Sequence, residues 1–359
     1  FDSNGGTAVS PIIVSSNKSI TKPNNPEKPP YNFVCWCSDA ALKVLWDFNF
    51  RVTNNMTLYA KWKTVETFVT QKTKGHVIKS FSLETSEFSN SFGTFGSTGS
   101  GTNHLNSPWS MTVDSESQIY VCDHNNSRIV KLNGSLMYLN AVNVASTVGR
   151  PCHIYFDSSS GDLYVTGINY HTIENKILYM YINMARYSTN LSLIKYTRDV
   201  LGVNQRLEQA KGEIGYKPIA VVKGQLENEF LIAGIRNKIY RTIELSTKFD
   251  ILEEVPYYVE LPTRFLGMIH HSNGYYYLNN GRNILKFDAT FTNMVNSDFI
   301  SKTIFGLREV SNGNILVYNC DRQSILEYDQ NLNFVKEVLK DSGTTIQTDF
   351  YEVSDMIQL

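Results

Sequence analysis

Charge of either sign is sparse in this sequence, at 19% of residues, and it is balanced: 33 Lys and Arg stand against 34 Asp and Glu, a formal net charge of −1. That leaves no basic footprint of the kind nucleic-acid binding requires, so nucleic acid is excluded as a partner. No apolar run approaches the ~20 residues of a membrane-spanning helix, and no signal-peptide pattern opens the chain. Cysteine is equally scarce: Cys35, Cys37, Cys122, Cys152 and Cys320 are an odd number without a C-x-x-C pair. Neither a disulfide framework nor a four-ligand zinc site follows, and free, mostly buried thiols are expected. G-x-S-x-G, H-E-x-x-H and phosphate-binding glycine loops are missing as well. No catalytic residue, metal or cofactor is therefore expected.

What is present is short β-type runs between turns. In WSMTVDSESQIYVCDHNNSRIVKLNGSLMYLNAVNV, Trp109 to Val144, the runs WSMTV, QIYVC, RIVKL and YLNAV are separated by segments rich in Asp, Asn, Ser and Gly. This reads as a four-stranded antiparallel meander. Related units begin at Arg150, Lys217, Arg264 and Phe305, and apart from the longer step from Arg150 to Lys217 the spacing is close to the ~40–45 residues of propeller blades. One such sheet cannot bury both faces, so a series of them is most simply a ring in which each sheet packs on the next. A sixth unit is split: ETFVTQKTKGHVIKSFSLETSEFSNSFG supplies three strands near the start, and YEVSDMIQL, Tyr351 to Leu359, supplies the first strand at the end. Joining them closes the ring and removes free sheet edges. The expected fold is all-β: a six-bladed β-propeller over 63–359 and a small separate domain over 1–62.

The segment SFGTFGSTGSGTNHLNSPWSMTVDSESQIYVCDHNNSRIVKL resembles the NHL-repeat propeller family. Its Phe-Gly pair, Gly-rich loop, Leu-Asn-x-Pro and Asp-x-x-Asn-x-Arg-Ile follow in that family's order. The resemblance implies that Asp123, Asn126 and Arg128 close a hairpin rather than form a catalytic cluster. Asp114 and Asp157, each ending an inner strand, read as turn caps.

Residues 1–62 differ in character, with three of the chain's four tryptophans, Trp36, Trp46 and Trp62, a Pro-rich connection, and SPIIVSSNKSI read as a short β pair. Phe1-Asp2-Ser3-Asn4-Gly5-Gly6, Tyr31-Asn32-Phe33, Trp36, Trp46-Asp47-Phe48 and Thr57-Leu58-Tyr59-Ala60-Lys61-Trp62 closely resemble the Listeria-Bacteroides type repeat of bacterial surface proteins, a β-grasp-like module. The resemblance implies an extracellular, cell-surface or virion-surface setting. Its usual first strand is absent before Phe1, so a longer multidomain chain is expected, and a homo-oligomer is allowed.

Tyrosine is abundant, with 21 residues, and rings of this kind serve both cores and recognition surfaces. The stretch Asn183 to Gly215 reads as a long insertion after the second unit, with an extra strand and a short helix in RDVLGVNQRLEQA. Long insertions on rigid rings are where binding residues collect. Tyr181, Arg186, Tyr187 and Tyr196, with Tyr257 and Tyr258, are the expected binding residues for a protein or glycan partner. His153, Arg308, Glu309 and Asp355 are the polar side chains that the inner strands offer to a central channel. They are too few and too mixed in charge for a metal cup. The expected function is a non-catalytic surface binding module, with a secreted propeller enzyme acting on a carbohydrate or peptide as the alternative.

Overall fold

The structure, a computed structural model, describes residues 1–28, 31–72, 75–82, 88–173, 177–200, 205–207, 220–235, 238–254, 267–340 and 353–358. The chain divides into two compact units, the first holding Phe1–Glu66 and the second the propeller.

In the first unit Tyr31–Cys37 pairs antiparallel with Tyr59–Thr64. Alternation along these strands puts Trp36 and Ala60 inward, where with Leu58 they are buried under Phe1, Phe33, Trp46, Phe48 and Trp62. Gly5 turns with φ +84°, and a Cβ on Gly6 would stand 2.5 Å from the Trp62 ring, so FDSNGG is shaped by both a turn and a close approach. SPIIVSSNKSI does not form the expected β pair; its one ladder contact is the bridge from Lys18 to Val52.

The second unit is a six-bladed β-propeller. Blade one consists of Pro108–Val113, Ile119–Asp123, Arg128–Leu132 and Tyr138–Asn143. Blade two consists of Arg150–Asp157, Asp162–Ile173, Ile177–Ser188 and Leu193–Thr197. Blade three is Ala220–Lys223, Glu229–Ile235, Lys238–Glu244 and Phe249–Glu254. Blade four is Gly267–His270, Tyr276–Asn279, Ile284–Phe287 and Met294–Asn296. Blade five is Ile304–Glu309, Ile315–Asn319, Ser324–Tyr328 and Phe334–Lys340. In the sixth sheet, Val353–Gln358 pairs with Glu66–Gln71, which is followed by Val77–Ser82 and Phe88–Phe92. Each innermost strand touches the innermost strands of both neighbouring blades.

Apolar side chains on both faces of the middle strands explain why the blades stack. One buried cluster joins Tyr120, Cys122 and Ile129 of blade one to Leu163, Val165 and Ala185 of blade two. Similar clusters join blade two to three, three to four, four to five, and six to one. At roughly 1.5–3 kcal/mol for each large apolar side chain buried, these seams dominate the stability of the ring.

Blade two departs from the expected insertion. Asn183–Ser188 ends its third strand and Leu193–Thr197 is its fourth, so half of the stretch is regular blade. The extra length lies earlier, in a hairpin whose two 12-residue strands pair from Asp162↔Ser188 to Ile173↔Ile177. Gln205–Leu207 is a strand pairing with Leu178–Met180 where a helix was expected. Residues 201–204 and 208–215 lie outside the described residues.

Candidate functional site

The residues expected to bind a partner divide sharply. Tyr187 is 1% exposed, and its hydroxyl lies 2.6 Å from Thr147 Oγ1 in the connection between blades one and two, so it is blade core and not surface. Arg186 is committed too: it donates to Asp162 Oδ2 at 2.8 Å and to Glu244 Oε1 of blade three at 2.9 Å. Lys195 reaches the same Glu244 oxygen at 2.7 Å, and the Tyr164 hydroxyl donates to Oε2 at 2.8 Å. Burial works to raise the Glu244 carboxyl, but these three donors hold it below the usual carboxylate range. Tyr181 is half-buried with the Arg198 guanidinium 5.0 Å above its ring. Tyr196 is open, at 46% exposure, beside Leu193 and Ile194 at 45% and 49% on the same outermost strand. Tyr257 and Tyr258 lie outside the described residues.

The tyrosines explain themselves once the blades are in place. The single hydroxyl proton of Tyr120 in blade one has two acceptors within reach, Asp114 Oδ2 of its own blade at 2.8 Å and Thr189 O of blade two at 3.0 Å. Tyr277 of blade four donates to Gln330 O of blade five at 2.8 Å. A buried phenol that must find a partner finds it in the next blade, so these rings weld the ring together. Asp114 and Asp157 cap their turns, Asp114 Oδ1 by accepting from the amides of Glu116 and Gln118, and Asp157 by accepting from Ser159. The five thiols are free.

The second place where polar groups gather is the central channel. The innermost strands enclose a cavity of about 90 Å³ lined by Ser110, His153, Tyr155, His270, Arg308 and Asp355, with apolar walls between them. Period-2 alternation puts His153 and Tyr155 on the same face of one strand. Glu309, the neighbour of Arg308, points the other way and accepts from the Ser272 amide at 2.9 Å. His271 likewise turns away from His270, with its Nε2 3.0 Å from Gly313 O. Among the described residues, no three His, Cys, Asp or Glu side chains stand close enough together to hold a metal ion. The sequence offered His153, Arg308 and Asp355 to the channel. It did not single out Tyr155, whose only signal was its place at an alternate position of an inner strand.

This geometry defines an all-β chain made of a six-bladed propeller and a small β domain. Comparison with known proteins places its parts: residues 1–61 match the Listeria-Bacteroides repeat domain, and residues 105–132 match the NHL repeat. A protein of Evansella cellulosilytica whose name describes it as a membrane protein is 41% identical over 76 residues, 21% of this chain and 11% of that protein. The chain thus matches about a tenth of that relative's length. Among solved structures, a protein of unknown function from Bacteroides caccae shares the fold with a TM-score of 0.57 at 10% identity, covering 83% of this chain and 99% of its own. A functionally unknown protein from Desulfotomaculum acetoxidans does so with a TM-score of 0.50 at 10% identity, covering 82% and 99%. No helix among the described residues is long and apolar enough to cross a membrane.

Proposed function

We propose that the chain is a non-catalytic recognition module of an extracellular, cell or particle surface, whose propeller rim takes a protein or glycan partner. The observation that carries this reading is the outermost strand of blade two, where Leu193, Ile194 and Tyr196 are all exposed within one five-residue strand. Exposed edge strands usually carry charge, because an apolar edge invites pairing; an apolar one is suited to a partner. The neighbouring rim continues the theme with Leu252 and Leu139, each about half exposed. A surface setting is supported by the match of residues 1–61 to a repeat domain that occurs in surface proteins, and by the name of the Evansella relative.

A propeller enzyme acting on a carbohydrate or peptide is the second reading, favoured by the polar side chains that converge in the channel. Its cavity of about 90 Å³ is small beside the ~300–1,000 Å³ of pockets that enclose organic ligands of that size. The test of the first reading is the triple variant L193S/I194S/Y196S, assayed on a glycan array and on immobilised bacterial cells. The melting temperature should stay within a few degrees of wild type while binding falls at least tenfold. Undiminished binding by the variant overturns the rim as the contact surface.

A further inference from the structure

We propose that the central channel binds a small monocarboxylate, with Arg308 as its counter-charge and His153 and Tyr155 as further donors. The inference is independent of the rim reading, because it concerns the opposite, inward face of the blades.

The starting point is a cation whose guanidinium lacks hydrogen-bond partners among the described residues. Arg308, on the innermost strand of blade five, lines the cavity and has no hydrogen bond or ion pair with any described residue. A guanidinium carries five N–H donors and stays charged in proteins, so in this partly buried position they are served by water or by an acceptor that enters the channel. Among the described residues the only carboxylate lining the cavity is Asp355, and both its oxygens already accept hydrogen bonds. Oδ2 accepts from Ser110 Oγ at 2.9 Å and from the Met111 amide at 3.0 Å, while Oδ1 accepts from the Met356 amide at 2.8 Å. Asp355 therefore ties blade six to blade one and leaves the Arg308 donors unfilled. Burial works against the Arg308 charge, opposed by the fields of Asp355 and Glu309.

The other free groups are also donors. His153 Nδ1 accepts from the Val221 amide at 3.3 Å, and burial, with the Arg308 charge beside it, holds the ring neutral, its pKa lowered to about 3. A neutral ring that accepts at Nδ1 carries its proton on Nε2, which has no partner among the described residues. The Tyr155 phenol keeps its proton as well, pushed up to about 12 by burial and then by Asp157. Guanidinium, imidazole N–H and phenol O–H facing one cavity call for an acceptor bearing one negative charge. A carboxylate meets that need, because its two oxygens match the guanidinium fork. A metal cation would face the Arg308 charge and find no uncommitted carboxylate, since Asp355 is held by Ser110 and two backbone amides, and a phosphate dianion would bring a second charge that no second cation among the described lining residues neutralises. The volume, about 90 Å³ against ~15 Å³ for one water-sized probe, admits about six non-hydrogen atoms. Acetate and lactate fit that limit, and a hexose does not.

The probes are sodium acetate and sodium lactate added to the full chain at constant ionic strength, with sodium chloride as reference. Calorimetric titration should give saturable 1:1 binding of acetate or lactate, and a concentration-dependent rise in melting temperature that chloride does not reproduce. Arg308→Gln should abolish both effects. Tyr155→Phe, which removes one hydroxyl, should weaken binding about tenfold and keeps the test open if the Arg308 variant fails to fold. No saturable binding to wild type, an equal effect of chloride, or full binding by Tyr155→Phe together with Arg308→Gln overturns the proposal and leaves the channel to water.

Discussion

A carboxylate with no exposed surface must be met by donors on every side, and Asp123 shows what that accomplishes in blade one. Its Oδ1 accepts from the Asn106 amide at 2.6 Å, and its Oδ2 from Asn126 Nδ2 and Arg128 Nε, both at 2.7 Å. Arg128 also donates from Nη1 to the Ser100 carbonyl and from Nη2 to the carbonyls of Gly101 and His104. The pair therefore clamps the Gly-rich loop onto the hairpin, and Asp-x-x-Asn-x-Arg is a structural clasp. With side-chain exposures of 0% for Asp123 and 12% for Arg128, solvent screens the ion pair little. By contrast, Lys248–Asp250 sits at 53% and 49% exposure and should contribute well under ~1 kcal/mol. Asp123→Asn keeps the shape and removes the charge, leaving Arg128 without its counter-ion. The expected cost is about 3 kcal/mol, read as a lower urea midpoint at unchanged slope. A midpoint equal to wild type would show that the loop carbonyls alone satisfy Arg128.

The turn between the third and fourth strands recurs in four blades with a feature that local pattern does not announce. Leu136, Leu191, Phe291 and Leu332 have φ of 60°, 64°, 59° and 68°, and each donates its amide to the carbonyl three residues back. All four are buried, at 4–6% exposure. An apolar side chain in the left-handed region costs on the order of 1 kcal/mol, and it is held there because the side chain plugs the seam between blades. Leu332→Ala loses the plug and retains the strain, whereas Leu332→Gly loses the plug and sheds the strain. Glycine should thus be at least as stable as alanine here, the reverse of the order inside a strand. A thermal melt of the two variants decides it, and a glycine variant more than ~1 kcal/mol below alanine refutes it. This turn also marks how far the sequence could be read. Alternation in QIYVC or ILVYN made strands and blade count visible, because period 2 is written into adjacent residues. The length of the blade-two hairpin was not visible, since strands end where their ladder partners do, and the partner of Asp162 is Ser188. Tyr187 and Arg186 were drawn to the surface for the same reason: a tyrosine-rich run shows its period but not which side the next blade occupies.

At the scale of the whole molecule, a propeller with n sheets has n seams only if its two ends meet. Here that meeting depends on six residues, Val353–Gln358, which lie against Glu66–Gln71, nearly three hundred positions away in the chain. Met356 and Ile357 are fully buried, and Ile357 belongs to the cluster shared with Phe68 and blade one. The polar side is equally committed: Ser354 Oγ donates to Pro108 O at 2.9 Å, the Asp355 amide donates to Thr70 Oγ1 at 2.9 Å, and the Asp355 carboxylate caps Met111. Removing residues 351–359 would open the ladder edge of Glu66–Gln71, orphan the Ser110 and Met111 donors, and empty the seam beneath Phe68. Two buried apolar side chains alone represent roughly 3–6 kcal/mol, a large share of the 5–15 kcal/mol that holds a typical domain. The expected outcome is a chain without a cooperative melt, prone to associate through the bare edge. Circular dichroism melts and light scattering on the truncated chain test this directly. A sharp transition at the wild-type temperature from a monomer would mean that five blades close without the sixth's inner strand, and that the ring is not held by its ends.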